Sequence, residues 1–221
     1  MQLEGRVALV TGAGSGLGKA AALLLAQEGA KCGVLGRSVD ELEQVAAEIE
    51  RTQGDALVLT ADISKPDEMQ RSVEQIVDRW GRLDIVFANA GINGVWAPIE
   101  QLSPEEWNQT ISINLTGTFY TIKYAVPHLK KQGGSVIITS SVNGTRMFSN
   151  TGATAYSATK AAQVAIGKML ALELADEHVR VNVICPGAIE SEIDENTERR
   201  DLEGARPPVE FPEGQIPLTA G

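Results

Sequence analysis

The chain has 221 residues, 43% hydrophobic and 22% charged, with 22 glycines and two cysteines. That composition excludes disordered, collagenous and disulfide-framework proteins and leaves one globular domain as the expectation. Nineteen Lys+Arg against 29 Asp+Glu give a net charge of −10, so neither nucleic acid nor an anionic membrane surface is expected as a partner.

Short apolar, β-branched runs alternate with segments of helical period. Val7–Val10 precedes Leu17–Gln27, Cys32–Leu35 precedes Asp40–Arg51, and Ala56–Leu59 precedes Asp67–Arg79. The rhythm continues through Ile85–Ala88, Glu105–Leu129, Ser135–Thr139, Thr154–Glu177 and Val181–Ile184. Strand, helix, strand in this order predicts parallel crossovers, hence an α/β fold with a doubly wound, Rossmann-type parallel sheet of about six strands. After Ile189 the character changes: residues 190–213 carry nine acids against three arginines, with Pro207, Pro208 and Pro212. Such a stretch reads either as a solvated surface or as a cover over a ligand at the carboxyl ends of the strands.

Cys32 and Cys185 lie in apolar strand-like runs with no Cys or His at metal spacing. They read as buried small hydrophobes, and no metal is expected. Met1–Arg6 lacks the apolar stretch of a signal peptide, and no run of about 18 apolar residues is present to span a membrane. The expected location is the cytoplasm.

The run Val7–Val10 leads into Thr11-Gly12-Ala13-Gly14-Ser15-Gly16-Leu17-Gly18 and then into an amphipathic segment. A glycine-rich turn between a first strand and a helix start binds pyrophosphate, because glycine permits close backbone approach and the helix start offers N–H groups and a positive dipole end. The plainer reading is a connecting turn of small residues. At the end of the second apolar run stand Arg37 and Ser38, with no acid. A guanidinium there matches a 2′-phosphate and argues for NADP over NAD, the competing account being an exposed surface arginine.

Tyr156 and Lys160 share one face at the front of a helical segment. A nearby cation favours phenolate, bringing a tyrosine whose ordinary pKa is near 10 toward working pH. Taken alone, the pair reads as a packed ring and a solvated amine. Ser140, Ser141 and Asn89 end strands on the same predicted rim, with Asn114 on the preceding helix; each singly reads as a cap or turn residue.

Together these residues resemble the short-chain dehydrogenase/reductase family from about Arg6 to Ile189. The TGxxxGxG element is Thr11, Gly12, Gly16 and Gly18, NAG is Asn89-Ala90-Gly91, YxxxK is Tyr156 and Lys160, and a PG turn is Pro186-Gly187. The acid after the third strand matches Asp62, beside Ile63. The resemblance implies that Tyr156 exchanges the proton with the substrate oxygen, Lys160 binds the nicotinamide ribose and lowers the tyrosine pKa, Ser141 positions the carbonyl, and Asn114 supports a water relay. It implies cofactor contacts from Gly12, Ser15, Gly16, Leu17, Gly18, Arg37, Ser38, Asp62, Ile63, Asn89, Ala90, Gly91, Tyr156, Lys160, Pro186, Gly187 and Ile189. The implied reaction is hydride transfer between NADP(H), with NAD(H) second, and a small carbonyl or secondary alcohol, in a homo-oligomer, dimer or tetramer.

On this reading residues 1–189 form the nucleotide-binding and catalytic core, and 190–221 an acidic covering segment of the same domain. Ser191 replaces the family's threonine after the PG turn, and the stretch from Ser141 to Tyr156 is slightly long. The chain stops at Ile216–Gly221 where relatives continue, so the family's last helix and strand are expected to be missing. A competing function follows: a catalytically impaired, nucleotide-binding protein with a regulatory role. Ile92–Pro98, Val142–Gly152 and the acidic stretch after Ile189 are the expected pocket segments, with apolar contact from Trp96, Met147 and Phe148, while His128 and His178 read as surface residues.

Overall fold

Every residue of β1 (Val7–Thr11) is buried, as a strand covered on both faces by helices must be. In this computed structural model, which describes residues 1–146, 150–187, 189 and 197–203, β1 is followed by α1 (Gly16–Gln27), β2 (Lys31–Gly36), α2 (Val39–Arg51), β3 (Ala56–Thr60), α3 (Pro66–Trp80) and β4 (Ile85–Ala88). Then come β5 (Gly94–Trp96), α4 (Pro104–Thr110), α5 (Gly117–Leu129), β6 (Gly134–Thr139), α6 (Thr154–Glu173), β7 (Val179–Ile184) and β8 (Thr197–Arg199).

The main sheet is parallel throughout, in the order β3-β2-β1-β4-β6-β7. The predicted doubly wound sheet is the one observed. The chain winds outward from β1 to β3, then returns to β4 and winds the other way, so the strand order switches between β1 and β4. In open α/β sheets a crevice opens at the carboxyl ends of the strands at such a switch. Alternation along β1 sends Ala8 and Val10 into one core layer with Val34, Leu42 and Val45, and Val7 and Leu9 into the other with Leu35, Val86 and Ile138.

Two features depart from the predicted elements. The single helical segment expected over Glu105–Leu129 is broken by a π-helical turn, Ile111–Thr116, between α4 and α5. Its cause lies in side chains that capture Asn114: the Asn114 carbonyl accepts from Thr118 Oγ1 at 2.7 Å and Gln163 Nε2 at 2.8 Å, competing with the regular ladder. The second is a small two-stranded parallel sheet, β5 with β8, too short to carry a period in the sequence. Of the two histidines, His128 is half-buried rather than superficial, and no group among the described residues partners its Nδ1.

Candidate active site

The strand ends around the switch are tied together before any ligand is considered. Thr11 Oγ1 accepts from the backbone N–H groups of Asn89 at 3.0 Å and Ala90 at 3.1 Å, joining β1 to β4. Asn89 donates through Nδ2 to the Thr11 carbonyl at 3.2 Å and accepts from Thr139 Oγ1 at 3.1 Å, joining β4 to β6. The Asn89 side chain thus fixes the frame of the cleft.

The glycine-rich loop sits on that frame. Gly12 has φ +67°, and a Cβ on it would lie 2.9 Å from the Ala90 Cα. A Cβ on Gly18 would collide with the Gly12 carbonyl oxygen and come 2.8 Å from Asn89 Nδ2. Both positions demand glycine on steric grounds. Ser15, at the N-cap of α1, makes no side-chain cap, and the first turn of α1 carries no acid, whereas α2, α3 and α4 each carry two acids there. The first N–H groups of α1 are therefore left open toward the crevice, an arrangement suited to phosphate.

Opposite the loop stand the candidate proton-transfer groups. A cleft of about 190 Å³ is lined on one side by Gly12, Ser15, Gly16 and Leu17, and on the other by Ser141, Tyr156 and Lys160. Asn89, Ala90 and Gly91 form its floor with Thr139 and Ser140, and Pro186, Gly187 and Ile189 complete the rim. The Ser141 hydroxyl lies on the same lining as Tyr156, and its Oγ accepts from Asn143 N at 3.2 Å. The neighbouring serine is committed elsewhere: Ser140 Oγ donates to the Lys160 carbonyl at 2.7 Å.

Lys160 is 3% exposed, and its Nζ donates to the Thr139 carbonyl at 2.8 Å while lying 5.5 Å from the Tyr156 ring centroid. Burial pushes this ammonium down to about 8, opposed by nearby Cys185. Burial also pushes the Tyr156 phenol up, the nearby Ser141 hydroxyl acting the other way. Nζ is anchored on a backbone carbonyl and faces the ring, so desolvation dominates the phenol. Cys185 is partly exposed, a correction to its reading as a buried hydrophobe, whereas Cys32 is buried and its thiol is pushed up to about 12.

Other sequence-predicted residues lie outside this lining. Asn114 is fully buried: its Oδ1 accepts from Ile92 N at 2.8 Å, and its Nδ2 donates to Ile92 O at 2.8 Å and Thr159 Oγ1 at 3.2 Å. Its amide pins the loop after β4 to the π-helical turn. Arg37 and Ser38 are exposed at the carboxyl end of β2. Asp62 accepts from Ser64 N and Oγ through Oδ1, and the Ile63 side chain belongs to the core. Gly18 acts through close packing. A larger cavity of about 1080 Å³ opens nearby, bordered by Ala97, Pro98, Thr151, Gly152 and Arg199, which brings parts of all three expected pocket segments to one cavity. Met147, Phe148, Ser191 and most of 190–213 lie outside the described residues; the part described, 197–203, contains β8.

A family model for short chain dehydrogenase matches residues 6–202. The chain belongs to this family. As a short-chain dehydrogenase it is an oxidoreductase with a Rossmann-type fold. It is 37% identical over 206 residues to the 3-oxoacyl-[acyl-carrier-protein] reductase FabG of Thermotoga maritima, covering 93% of this chain and 82% of that one. It is 38% identical over 209 residues to levodione reductase of Leifsonia aquatica, covering 93% and 78%. The crystal structure of a 3-ketoacyl-ACP reductase from Sinorhizobium meliloti 1021 superposes with a TM-score of 0.91 at 54% identity, covering 97% of this chain and 85% of that one. Sequence reasoning missed the tilted ring contact of Trp96 with Tyr156, with centroids 6.5 Å apart; no periodicity announces it.

Proposed function

We propose that this short-chain dehydrogenase is an NADP(H)-dependent reductase of ketones, working in reverse on secondary alcohols, with Tyr156 as the proton donor. The observation that carries the reading is the meeting of Ser141, Tyr156 and Lys160 with the Gly12–Leu17 loop around one cleft. The residues present fit a dinucleotide: the loop excludes side chains at Gly12 and Gly18, and the start of α1 offers uncapped N–H groups. When bound, the nicotinamide supplies the hydride. The remaining chemistry is assigned to the chain. Tyr156, protonated at neutral pH and pushed further up by burial, gives its hydroxyl proton to the substrate oxygen, and the Ser141 hydroxyl orients that oxygen. The Lys160 ammonium holds the cofactor ribose and stabilises the phenolate that remains. Asn114 shapes the wall through its clamp on Ile92.

Arg37 supports NADP over NAD: it stands at the end of β2, next to β1, with a guanidinium open to a 2′-phosphate. Asp62, Ile63 and Ser38 are assigned to the adenosine end on the same rim. The relatives' names favour a ketone or 3-oxoacyl thioester as substrate. The exposed Phe119 on α5 and the exposed Met169 and Leu172 on α6 support assembly as a homo-oligomer, checked by sedimentation. The two unpaired cysteines suit the reducing cytoplasm.

Tyr156→Phe tests the proton role. The variant should lose turnover of a ketone panel, followed by the fall in NADPH absorbance, while its NADPH affinity stays near that of the parent. Retained turnover would refute the assignment.

A further inference from the structure

The pairing of β5 with β8 joins the segment after β7 to the loop after β4. Arg200 N donates to the Trp96 carbonyl at 2.9 Å, and Asn93 Nδ2 donates to Thr197 Oγ1 at 2.7 Å. Arg200 Nη2 reaches Glu106 Oε1 at 2.6 Å and Glu198 Oε1 at 2.7 Å. That guanidinium holds the Glu106 carboxyl down to about 2. Glu106 is itself locked by a capping box with Ser103 at the start of α4. The strand is thus fastened at both ends, by a hydrogen bond at its first residue and an ion pair just after it.

The fastening leads to the candidate proton donor. The Arg199 guanidinium carbon lies 5.2 Å from the centroid of the Trp96 ring. The Trp96 ring lies 6.5 Å from the Tyr156 ring, tilted by 47°, and Lys160 Nζ lies 5.5 Å from that ring in turn. Trp96 is only 9% exposed, and its Nε1 donates to the Asn93 carbonyl at 3.2 Å. The backbone presses on the same place: a Cβ on Gly152 would lie 2.8 Å from Ala97 N and 3.1 Å from the Trp96 carbonyl carbon. The loop that starts α6, and with it Tyr156, therefore rests directly on β5. Among the described residues β8 is the strand partner of β5.

We propose that Arg199 is a positioning residue for Tyr156: stacked on Trp96, it holds the indole against the phenol ring, so that docking of β8 sets the direction of the Tyr156 hydroxyl. This rests on the proton role assigned to Tyr156 above. Two cations and two rings in series leave the phenol flanked by Trp96 and Lys160. Removing the outer cation uncovers one face of the indole, whose Nε1 remains on the Asn93 carbonyl, and lets ring and phenol shift from the proton-donating geometry, where a displacement of about 1 Å costs up to about a hundredfold in rate. Arg199 lies over the Trp96 ring and acts on Tyr156 through it. A cation over an indole face needs only charge and reach, so lysine should substitute in part.

The test compares Arg199→Ala, Arg199→Lys and Tyr156→Phe in the full chain. The readouts are kcat and KM with cyclohexanone and acetoacetyl-coenzyme A, NADPH affinity, and ultraviolet difference titration of Tyr156, isolated by subtracting Tyr156→Phe. Arg199→Ala should lower kcat about tenfold or more, leave NADPH affinity unchanged, and move the Tyr156 titration down toward its ordinary value near 10 as water reaches the ring. Arg199→Lys should recover most of both effects. Unaltered kcat and titration in Arg199→Ala overturn the proposal. So does a loss of NADPH affinity equal to the loss of turnover, or a lysine variant no better than alanine. The titration needs no substrate and decides alone if neither probe is turned over. An active Tyr156→Phe removes the parent reading; an inactive one beside an unaffected Arg199→Ala removes only this inference.

Discussion

Lys160→Met should stabilise the protein while destroying its proposed activity. The Lys160 side chain is buried, and its ammonium is pushed from 10.5 down to about 8. Between those values the unfolded chain binds more protons than the folded one, so this residue weakens folding at neutral pH and the weakness is relieved as pH rises from about 8 to 10.5. The gap corresponds to roughly 3 kcal/mol at pH 7 and about 1 kcal/mol at pH 10. Methionine fills a similar volume without charge, but gives up the hydrogen bond from Nζ to the Thr139 carbonyl, a loss of about 1 kcal/mol. The net gain is about 2 kcal/mol at pH 7 and close to zero at pH 10. For a chain of 221 residues the gain at pH 7 raises Tm by about 4–8 °C. Urea unfolding of parent and variant at both pH values measures the difference directly, since every other titrating group is shared. A variant less stable than the parent at pH 7, or an advantage that persists undiminished at pH 10, refutes the reasoning.

Arg37→Ala should weaken NADPH binding about ten- to a hundredfold, the loss of one charge-assisted contact, and leave NADH binding unaltered; titration calorimetry with both dinucleotides checks it. Gly18→Ala forces a Cβ into the Gly12 carbonyl, so cofactor affinity should fall and folding should weaken by about 1–3 kcal/mol, read by NADPH fluorescence and thermal melts. The Asp84 carboxylate accepts from Arg6 Nη1, Arg82 Nε and the Val7 N–H and is held below its ordinary value. Asp84→Asn should cost about 2 kcal/mol, below the cost of breaking a fully buried pair because both arginines are partly exposed. That difference is present above pH 4 and shrinks as pH falls through the depressed folded value. Urea titrations at pH 3 and pH 7 measure it.

The sheet was legible because its strands are covered on both faces: Val7–Thr11, Cys32–Leu35 and Ile85–Ala88 are buried at every residue and so read as unbroken apolar runs. What sequence patterns could not show depends on contacts made across long separations. The break at Ile111–Thr116 follows from Gln163, 49 residues away, donating to the Asn114 carbonyl. Helix α6 stops at Glu173, and His178 takes a left-handed φ of 56° with no glycine to mark the end, so the periodic segment looked four residues longer than the helix. The pairing β5–β8 joins two three-residue strands about a hundred residues apart, and neither has length enough to alternate.

The site divides the same way. Glycine spacing and the Tyr156–Lys160 interval are local and visible; their protonation is a property of the burial that the rest of the fold imposes. At neutral pH the displaced groups stand as a neutral phenol above its ordinary value and an ammonium with little margin. On the proposed function, such a frame gives a proton to the ketone oxygen and then steadies the phenolate with the nearby cation. Above pH 8 the order reverses its usefulness: Lys160 loses its charge before Tyr156 loses its proton, so alkaline pH removes the stabilising cation while the phenol is still undissociated. The proposed reduction therefore needs both groups protonated, a condition that the buried lysine, rather than the tyrosine, is first to break.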